Sequence, residues 1–185
     1  MGARDAIQSP PEGGRLGLAA VARILIVGGG CRGRRLAAAL VGEGHTLRVT
    51  TRSEAGRAAI EETGAECWIG TPARLATLRG ALDAVTIACW LLGSATGAEE
   101  EVRALHTTRL QFFITQVIDS TVRGLLYEAR GTTTPSGLLL DGEARARALT
   151  EHNAIPAAFL TADPADMDRW LDEARATVAS LLSVA

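Results

Sequence analysis

Lysine is absent from the sequence: all 19 basic residues are arginines, and Tyr127 is the single tyrosine. This absence excludes mechanisms that need a lysine amine, such as Schiff-base formation and phosphate binding by the lysine of a phosphate loop. It also excludes a lysine that assists a catalytic tyrosine. Whatever chemistry the protein performs therefore rests on other groups.

Cysteine is scarce as well. Cys31, Cys67 and Cys89 are odd in number and have no spacing typical of a disulfide framework or a zinc site. The pattern favours reduced thiols. We therefore predict no metal site and a cytoplasmic protein.

Long apolar runs are also missing. The longest uncharged run, residues 84–98, is interrupted by Gly93 and Gly97 and is too short to span a bilayer. Only a short apolar stretch lies between Arg15 and Arg23, so we expect no secretory signal. The net charge is -2, with acids and bases spread along the chain. We expect neither a nucleic-acid nor a membrane partner.

The residues that are present are typical of one globular domain. The chain has 185 residues, of which 47% are hydrophobic and 22% charged, enough for one α/β domain with a substantial core. Residues 1–21 contain a Pro-Pro and a Gly-Gly pair and no periodicity, which predicts a mobile leader. Residues 22–185 are predicted to form the domain.

Strand and helix patterns alternate along that domain. Continuous β-branched runs predict strands buried on both faces, and the segments between them have helical spacing. The alternation predicts a single doubly wound Rossmann domain, an α/β fold with about six parallel strands and helices on both faces. The predicted strands are residues 23–27, 46–51, 66–69, 84–89, 122–127 and 155–160. The predicted helices are about residues 31–42, 53–62, 71–82, 99–118, 141–152 and 163–182.

A Gly-x-Gly-x-x-Gly motif, Gly28, Gly30 and Gly33, joins the first strand to the first helix. Gly28 permits a tight turn, Gly30 has no side chain to keep a pyrophosphate away from the backbone, and Gly33 lets the helix pack closely on the strand. The free N–H groups at the helix start can then bind a diphosphate. The motif predicts a dinucleotide site. The alternative is a glycine turn that binds nothing.

The end of the second strand predicts which dinucleotide binds. An Asp or Glu there would bind the adenosine ribose diol and favour NAD(H), but the residues are Thr51, Arg52 and Ser53. Arg52 can pair with a 2′-phosphate, and Thr51 and Ser53 can donate hydrogen bonds to it. Arg32 can approach from the other side. We predict NADP(H) rather than NAD(H) and disfavour S-adenosylmethionine, whose ribose usually needs the same acid; the alternative is that Arg52 is a solvated strand-end residue.

Two further residues are candidates for the same cleft. Cys31 begins the first helix, where a redox-sensitive thiol is one interpretation and a small packing residue is the favoured one. Trp90, placed just past the fourth strand, either covers a ring of the dinucleotide or is a core residue. The three histidines share no ligand spacing and are predicted to be surface or cap residues: His45, His106 and His152.

These segments resemble the short-chain dehydrogenase/reductase superfamily, near its nucleoside-diphosphate-sugar epimerase-like and NmrA-like members, as an atypical case. The resemblance rests on ILIVGGGCRG (24–33), RVTTR (48–52), LDAVTIA (82–88) and VRGLLYE (122–128). It implies an NAD(P)-binding Rossmann fold with NADP(H) along the carboxyl ends of the strands. In this family the helix corresponding to residues 99–118 builds a dimer interface. Because apolar residues lie on more than one stripe of that helix, we predict a homodimer.

The chain departs from this family at its catalytic groups. Active oxidoreductases of the family use a Tyr-x-x-x-Lys pair, whereas Tyr127 is followed four residues later by Gly131 and lies in a predicted strand. The loop 130–136 offers Thr and Ser hydroxyls but no base to activate them. Three hypotheses remain: an oxidoreductase or epimerase-like enzyme with a non-standard proton donor, a non-catalytic NADP(H)-binding regulatory or redox-sensing protein, and a fold that has lost its ligand.

Overall fold

A computed structural model describes residues 21–184. Its centre is a six-stranded sheet in the order β3-β2-β1-β4-β5-β6, and every neighbouring pair is parallel. The strands are β1 Arg23–Val27, β2 Thr46–Thr51, β3 Glu66–Ile69, β4 Ile87–Trp90, β5 Gly124–Glu128 and β6 Ala157–Leu160. The predicted α/β fold with six parallel strands is confirmed. The predicted leader lies outside the described residues, apart from Val21.

Helices cover both faces of the sheet. They are α1 Cys31–Gly42, α2 Arg57–Glu61, α3 Glu99–His106, α4 Thr108–Ile118, α5 Ser136–His152 and α6 Met167–Val184. Two groups of buried side chains result, one beneath α1 and α6 around Leu36 and Trp170, the other beneath α4 and α5 around Phe113 and Tyr127. The apolar runs of β1, β4 and β5 are buried because each strand is covered from both sides.

The predicted helix over residues 71–82 is wrong. The segment contains two short 3₁₀ helices, Leu75–Leu78 and Gly80–Leu82. The buried Arg48 holds the end of this segment, because its Nη1 donates to the carbonyl oxygen of Ala81 at 2.7 Å.

The predicted helix over residues 99–118 is two helices. The chain breaks at Thr107, whose φ of -124° and ψ of -100° lie outside the α-helical region. The break explains why apolar residues of segment 99–118 lie on more than one stripe. α3 buries Val102 and His106, whereas α4 buries a separate set, namely Leu110, Phe113, Ile114 and Val117.

The start of β4 lies later than predicted. Ala84 has a φ of 59°, which belongs to a turn, and the strand includes Trp90 rather than ending before it. β5, β6 and α6 also begin later than predicted, and α5 begins earlier.

The strand order places a cleft above the middle of the sheet. From β1 the chain proceeds outward to β2 and β3, then returns to the other side of β1 and proceeds to β4, β5 and β6. Ligands of open α/β sheets bind at the carboxyl ends of the strands where the order reverses in this way. The end of β1 is the glycine loop.

Candidate functional site

The glycine loop has the geometry that its motif predicts. Gly28 has a φ of +129°, which only glycine adopts readily, and a Cβ there would collide with the carbonyl oxygen of Leu91. A Cβ on Gly33 would collide with the Gly28 carbonyl oxygen. A Cβ on Gly30, by contrast, would have no neighbouring atom within 4 Å. Gly28 and Gly33 are therefore required by packing, whereas Gly30 leaves open space at the start of α1.

A cleft of about 540 Å³ opens from this loop along the carboxyl ends of the strands. That volume lies within the usual range of ligand sites, about 300–1,000 Å³. Its walls are residues 28–33, 50–52, 70–73, 91–92 and 94–96, with Glu101, Val102, Leu105, Arg109 and Met167. Because α1 begins in this wall without an acid in its first turn, its unpaired backbone N–H groups favour an anion.

The end of β2 forms one end of the cleft. Thr51 and Arg52 line it, and Ser53 lies exposed beside them. The Arg52 guanidinium has no ion-pair partner among residues 21–184. An exposed, unpaired guanidinium is suited to bind a phosphate.

Arg32 lies elsewhere than predicted. Arg32 lines the cleft, but its Nε donates to Oε1 of Glu128 at 3.1 Å and its Nη2 donates to the Ser94 hydroxyl. The guanidinium carbon also lies 5.6 Å from the ring centre of Trp170. Arg32 therefore faces the ends of β4 and β5 rather than Arg52, and its predicted approach to a 2′-phosphate is wrong in this structure.

Glu128 is the buried partner that the sequence interpretation missed. Its side chain is 1% exposed, and its Oε2 accepts the Gly93 N–H at 2.7 Å. Burial raises the pKa of the Glu128 carboxyl, and the nearby positive charge of Arg32 opposes that shift. The pair joins the first turn of α1 to the end of β5, and the Gly93 N–H links Glu128 to the segment that follows β4. No local pattern indicates it, since 96 positions separate the two residues.

Trp90 is a core residue, so its predicted contact with a dinucleotide ring is wrong. Its side chain is fully buried, stacks at 4.7 Å on Phe113 and donates from Nε1 to the Leu105 carbonyl oxygen at 3.1 Å. Leu91, the next residue, lines the cleft instead. The prediction placed Trp90 beyond the strand, where its ring would have faced the ligand.

Cys31 is exposed and lines the cleft. The favoured interpretation of Cys31 as a small packing residue is therefore wrong. Cys67 is half-buried and Cys89 is buried, and all three thiols are free. Burial raises the pKa of the Cys89 thiol to about 12. Cys31 is thus the exposed thiol at the glycine loop.

His106 is buried rather than a surface or cap residue. Its Nδ1 lies 2.8 Å from the Tyr127 hydroxyl, which also donates to the Leu139 carbonyl oxygen at 3.3 Å. Burial lowers the pKa of His106 to about 4 and raises the pKa of Tyr127. Gly142 makes room for the pair, because a Cβ there would collide with the tyrosine hydroxyl. Tyr127 therefore packs in the core and does not line the cleft.

Arg109, near the start of α4, is a second basic group of the cleft that the sequence interpretation missed. It is half-buried, lines the cleft and has no ion-pair partner in the part of the chain that the structure describes. Its position depends on the break at Thr107, which the sequence pattern did not indicate. The cleft thus has an unpaired guanidinium on two different elements.

A second cavity adjoins the cleft, and we call it the side cavity. It measures about 560 Å³ and is lined by residues 95–97, Glu99, Val102, Arg103, Thr133, Pro135, 137–138 and Asp141. The predicted hydroxyl loop forms part of its wall: Thr133 lines it, and the Thr132 backbone N–H donates to the Ser94 hydroxyl at 3.0 Å. Neither cavity is lined by a histidine or a tyrosine among the described residues.

No group of three or more His, Cys, Asp or Glu within residues 21–184 is arranged to hold a metal ion. None of the helices in that range is both long enough and apolar enough to cross a membrane.

Several solved structures have a similar fold. Triphenylmethane reductase from Citrobacter sp., solved with NADP(H), aligns over 74% of this chain and 48% of its own, with 17% identity and a TM-score of 0.56. UDP-glucuronic acid 4-epimerase from Bacillus cereus, solved with NAD, aligns over 74% and 54%, with 13% identity and a TM-score of 0.59. UDP-glucose 4-epimerase from Thermotoga maritima aligns over 74% and 54%, with 10% identity and a TM-score of 0.61.

This chain spans about half the length of those solved structures. The sequence itself matches no protein-family model and no curated protein. At these identities the comparison concerns the fold, which is the Rossmann fold of such reductases and epimerases. The comparison thereby confirms the predicted Rossmann fold.

Proposed function

We propose that the cleft binds NADP(H), with the diphosphate at the start of α1 and the adenosine 2′-phosphate at Arg52. The observation that carries the proposal is the open position at Gly30, directly before a helix whose first residues line the cleft. Similar folds have been solved with NAD and with NADP(H), which supports a nicotinamide dinucleotide.

The preference for NADP(H) over NAD(H) rests on charge. The β2 end has no carboxylate to bind a ribose diol, and its basic group, Arg52, is unpaired. A carboxylate there would repel a 2′-phosphate, whereas a guanidinium binds it through charge-assisted hydrogen bonds. Arg109 adds a second positive charge to the same cleft and supports an anionic ligand.

Replacing Arg52 tests this preference. Arg52→Gln is expected to weaken NADPH binding about ten- to hundredfold, because hydrogen bonds to charged groups contribute about 1.5–3 kcal/mol. The affinity for NADH should stay unchanged, since NADH has no 2′-phosphate. Calorimetric titration of both nucleotides into wild type and variant gives the four constants.

Arg35→Gln is the matched control. Arg35 is exposed on α1 and does not line the cleft. Arg35→Gln should leave the affinities for NADPH and for NADH as they are in the wild type. Equal losses of NADPH and NADH affinity in Arg52→Gln would contradict the assignment of the 2′-phosphate to this residue.

We propose that the protein uses this cleft as a reductase or an epimerase-like enzyme. The support for this activity is the side cavity, which adjoins the cleft through the shared residues Ala95, Thr96 and Val102 and offers room for a substrate. NADPH, when bound, supplies a hydride. The chain's own part is to bind the dinucleotide and to hold a substrate beside it. Because Tyr127 is in the core, any proton must come from another donor or from water.

The alternative is a non-catalytic NADP(H)-binding protein with a regulatory or redox-sensing role. The buried Tyr127 and the absent lysine favour it, as does the exposed thiol of Cys31 in the cleft. Binding of NADPH without its oxidation across a panel of carbonyl compounds and sugar nucleotides would favour this alternative. We propose a cytoplasmic location in either case, in accord with the three free thiols.

We also propose a homodimer formed through α4. Phe112 is 45% exposed and Ile118 is 38% exposed on that helix, although both are large apolar residues. A second copy of the chain could cover these two side chains in an interface. Light scattering at micromolar concentration should give twice the chain mass, and Phe112→Ser should shift it toward the monomer. A monomeric mass for the wild type would contradict the proposal.

A further inference from the structure

The positive charge at the glycine loop is smaller than the charge of a diphosphate. A diphosphate linkage carries a negative charge on each phosphate, whereas the start of a helix such as α1 corresponds to about half a positive charge. Arg32, in the first turn of α1, is already engaged, because its guanidinium pairs with Glu128 and donates to Ser94. The sequence has no lysine that could take its place. A diphosphate at Gly30 would therefore gain from a further cation across the cleft.

Arg109 offers such a cation on the side of the cleft opposite to α1. The helices α1 and α4 pack on opposite faces of the sheet. Arg109 precedes Phe113 by four positions, so the two side chains lie on the same side of α4, one turn apart. Phe113 stacks on Trp90, whose register partner is Val27 at the end of β1. Because α4 begins near the carboxyl ends of the strands, Arg109 lies one turn beyond Phe113, toward the glycine loop that follows Val27.

The charges that line the cleft leave Arg109 available for a ligand. It makes no ion pair with any residue of the described range 21–184, and it is half-buried. The carboxylate in the cleft lining, Glu101, is exposed and therefore screened by solvent, whereas a partly buried charge is screened less. Arg52 follows β2, which lies on the other side of β1 from β4. The two unpaired guanidinium groups therefore lie on opposite sides of the glycine loop.

We propose that Arg109 binds the diphosphate of the dinucleotide from the side opposite to α1. The inference rests on the proposed function and assigns different roles to the two unpaired arginines. Arg52 binds the 2′-phosphate that only NADP(H) has, whereas Arg109 binds the diphosphate that NADP(H) and NAD(H) share. A guanidinium donates paired hydrogen bonds to phosphate oxygens. The diphosphate is then held between these bonds and the backbone N–H groups at the start of α1.

Calorimetric titration of NADPH, NADH and adenosine 2′-monophosphate into the full chain tests the inference. Arg109→Gln is expected to weaken NADPH and NADH by the same factor, about tenfold, and to leave adenosine 2′-monophosphate unchanged, since that probe has no diphosphate. Arg52→Gln should do the reverse, weakening NADPH and adenosine 2′-monophosphate but not NADH. Arg109→Lys should recover part of the lost affinity, because it restores the charge without the bidentate hydrogen bonds. Arg74→Gln is the matched control: Arg74 is exposed beside the cleft and does not line it, so all three affinities should be unchanged.

The outcomes separate this inference from the proposed function. If neither NADPH nor NADH binds to the wild type, the proposed function fails, and this inference with it. If both bind and Arg109→Gln leaves their affinities unchanged, the inference is overturned while dinucleotide binding stands. A loss of affinity for NADPH alone, or for adenosine 2′-monophosphate, would place Arg109 at the adenosine end and overturn its assignment to the diphosphate.

Discussion

Replacing Glu128 by alanine is expected to lower the free energy of unfolding by about 3–5 kcal/mol, the usual effect of removing one partner from a buried ion pair. The variant leaves the Arg32 guanidinium, 16% exposed, without its carboxylate. It also leaves the buried Gly93 N–H without an acceptor. Urea unfolding of wild type and variant measures the difference.

Two further variants show whether the loss comes from the unpaired charge. Glu128→Leu combined with Arg32→Leu removes both charges, so it should be more stable than Glu128→Ala despite the larger change. Glu143→Ala breaks an exposed pair with Arg147 on α5 and should change stability by less than about 1 kcal/mol. A loss below about 1 kcal/mol in Glu128→Ala would contradict the assigned role of the buried pair.

Replacing Gly30 by alanine is expected to weaken NADPH binding about a hundredfold, because the added methyl group would stand where the diphosphate approaches the backbone. The fold should survive. No atom lies within 4 Å of the new Cβ, and the φ of -69° and ψ of -174° at Gly30 suit alanine. Unfolding free energy should therefore change by no more than about 1 kcal/mol, the scale of a helix N-cap substitution.

Two further glycine variants of α1 are compared with Gly30→Ala, namely Gly42→Ala and Gly33→Ala. Gly42 lies at the other end of α1, also with nothing near its Cβ position, so its variant should bind NADPH like the wild type. Gly33→Ala should lose stability as well as affinity, because its Cβ would collide with the Gly28 carbonyl. Unchanged NADPH affinity in Gly30→Ala would show that the glycine loop is not part of the NADPH-binding site.

The strands of the fold could be predicted because their signal is local. Thr46–Thr51 and Glu66–Ile69 have the predicted bounds, and the apolar run after Arg23 predicted a strand buried on both faces. The 3₁₀ turns of segment 71–82 were not predicted; one of the contacts that hold this segment comes from Arg48, which lies 33 positions before Ala81. Such a contact exists only after the chain has folded.

The residues of the candidate site likewise fall into those that the local sequence indicates and those that depend on distant contacts. The glycine motif and Arg52 could be recognised because each follows directly from the end of a strand. The orientation of Arg32 could not, since it depends on Glu128 in a distant strand. Trp90 and His106 were misplaced because a residue at the end of a strand or helix faces either the core or the cleft, and the backbone position of its neighbours decides which. The place of Arg109 in the cleft could not be predicted either, because it depends on the break at Thr107.

Titration of NADPH and NADH into the wild-type protein tests the central claim most directly. Calorimetry should show saturable binding of NADPH, at least about tenfold tighter than binding of NADH, because NADH lacks the phosphate that pairs with Arg52. Equal affinities would contradict the assignment of NADP(H). Absence of saturable binding for both nucleotides would contradict the dinucleotide site itself.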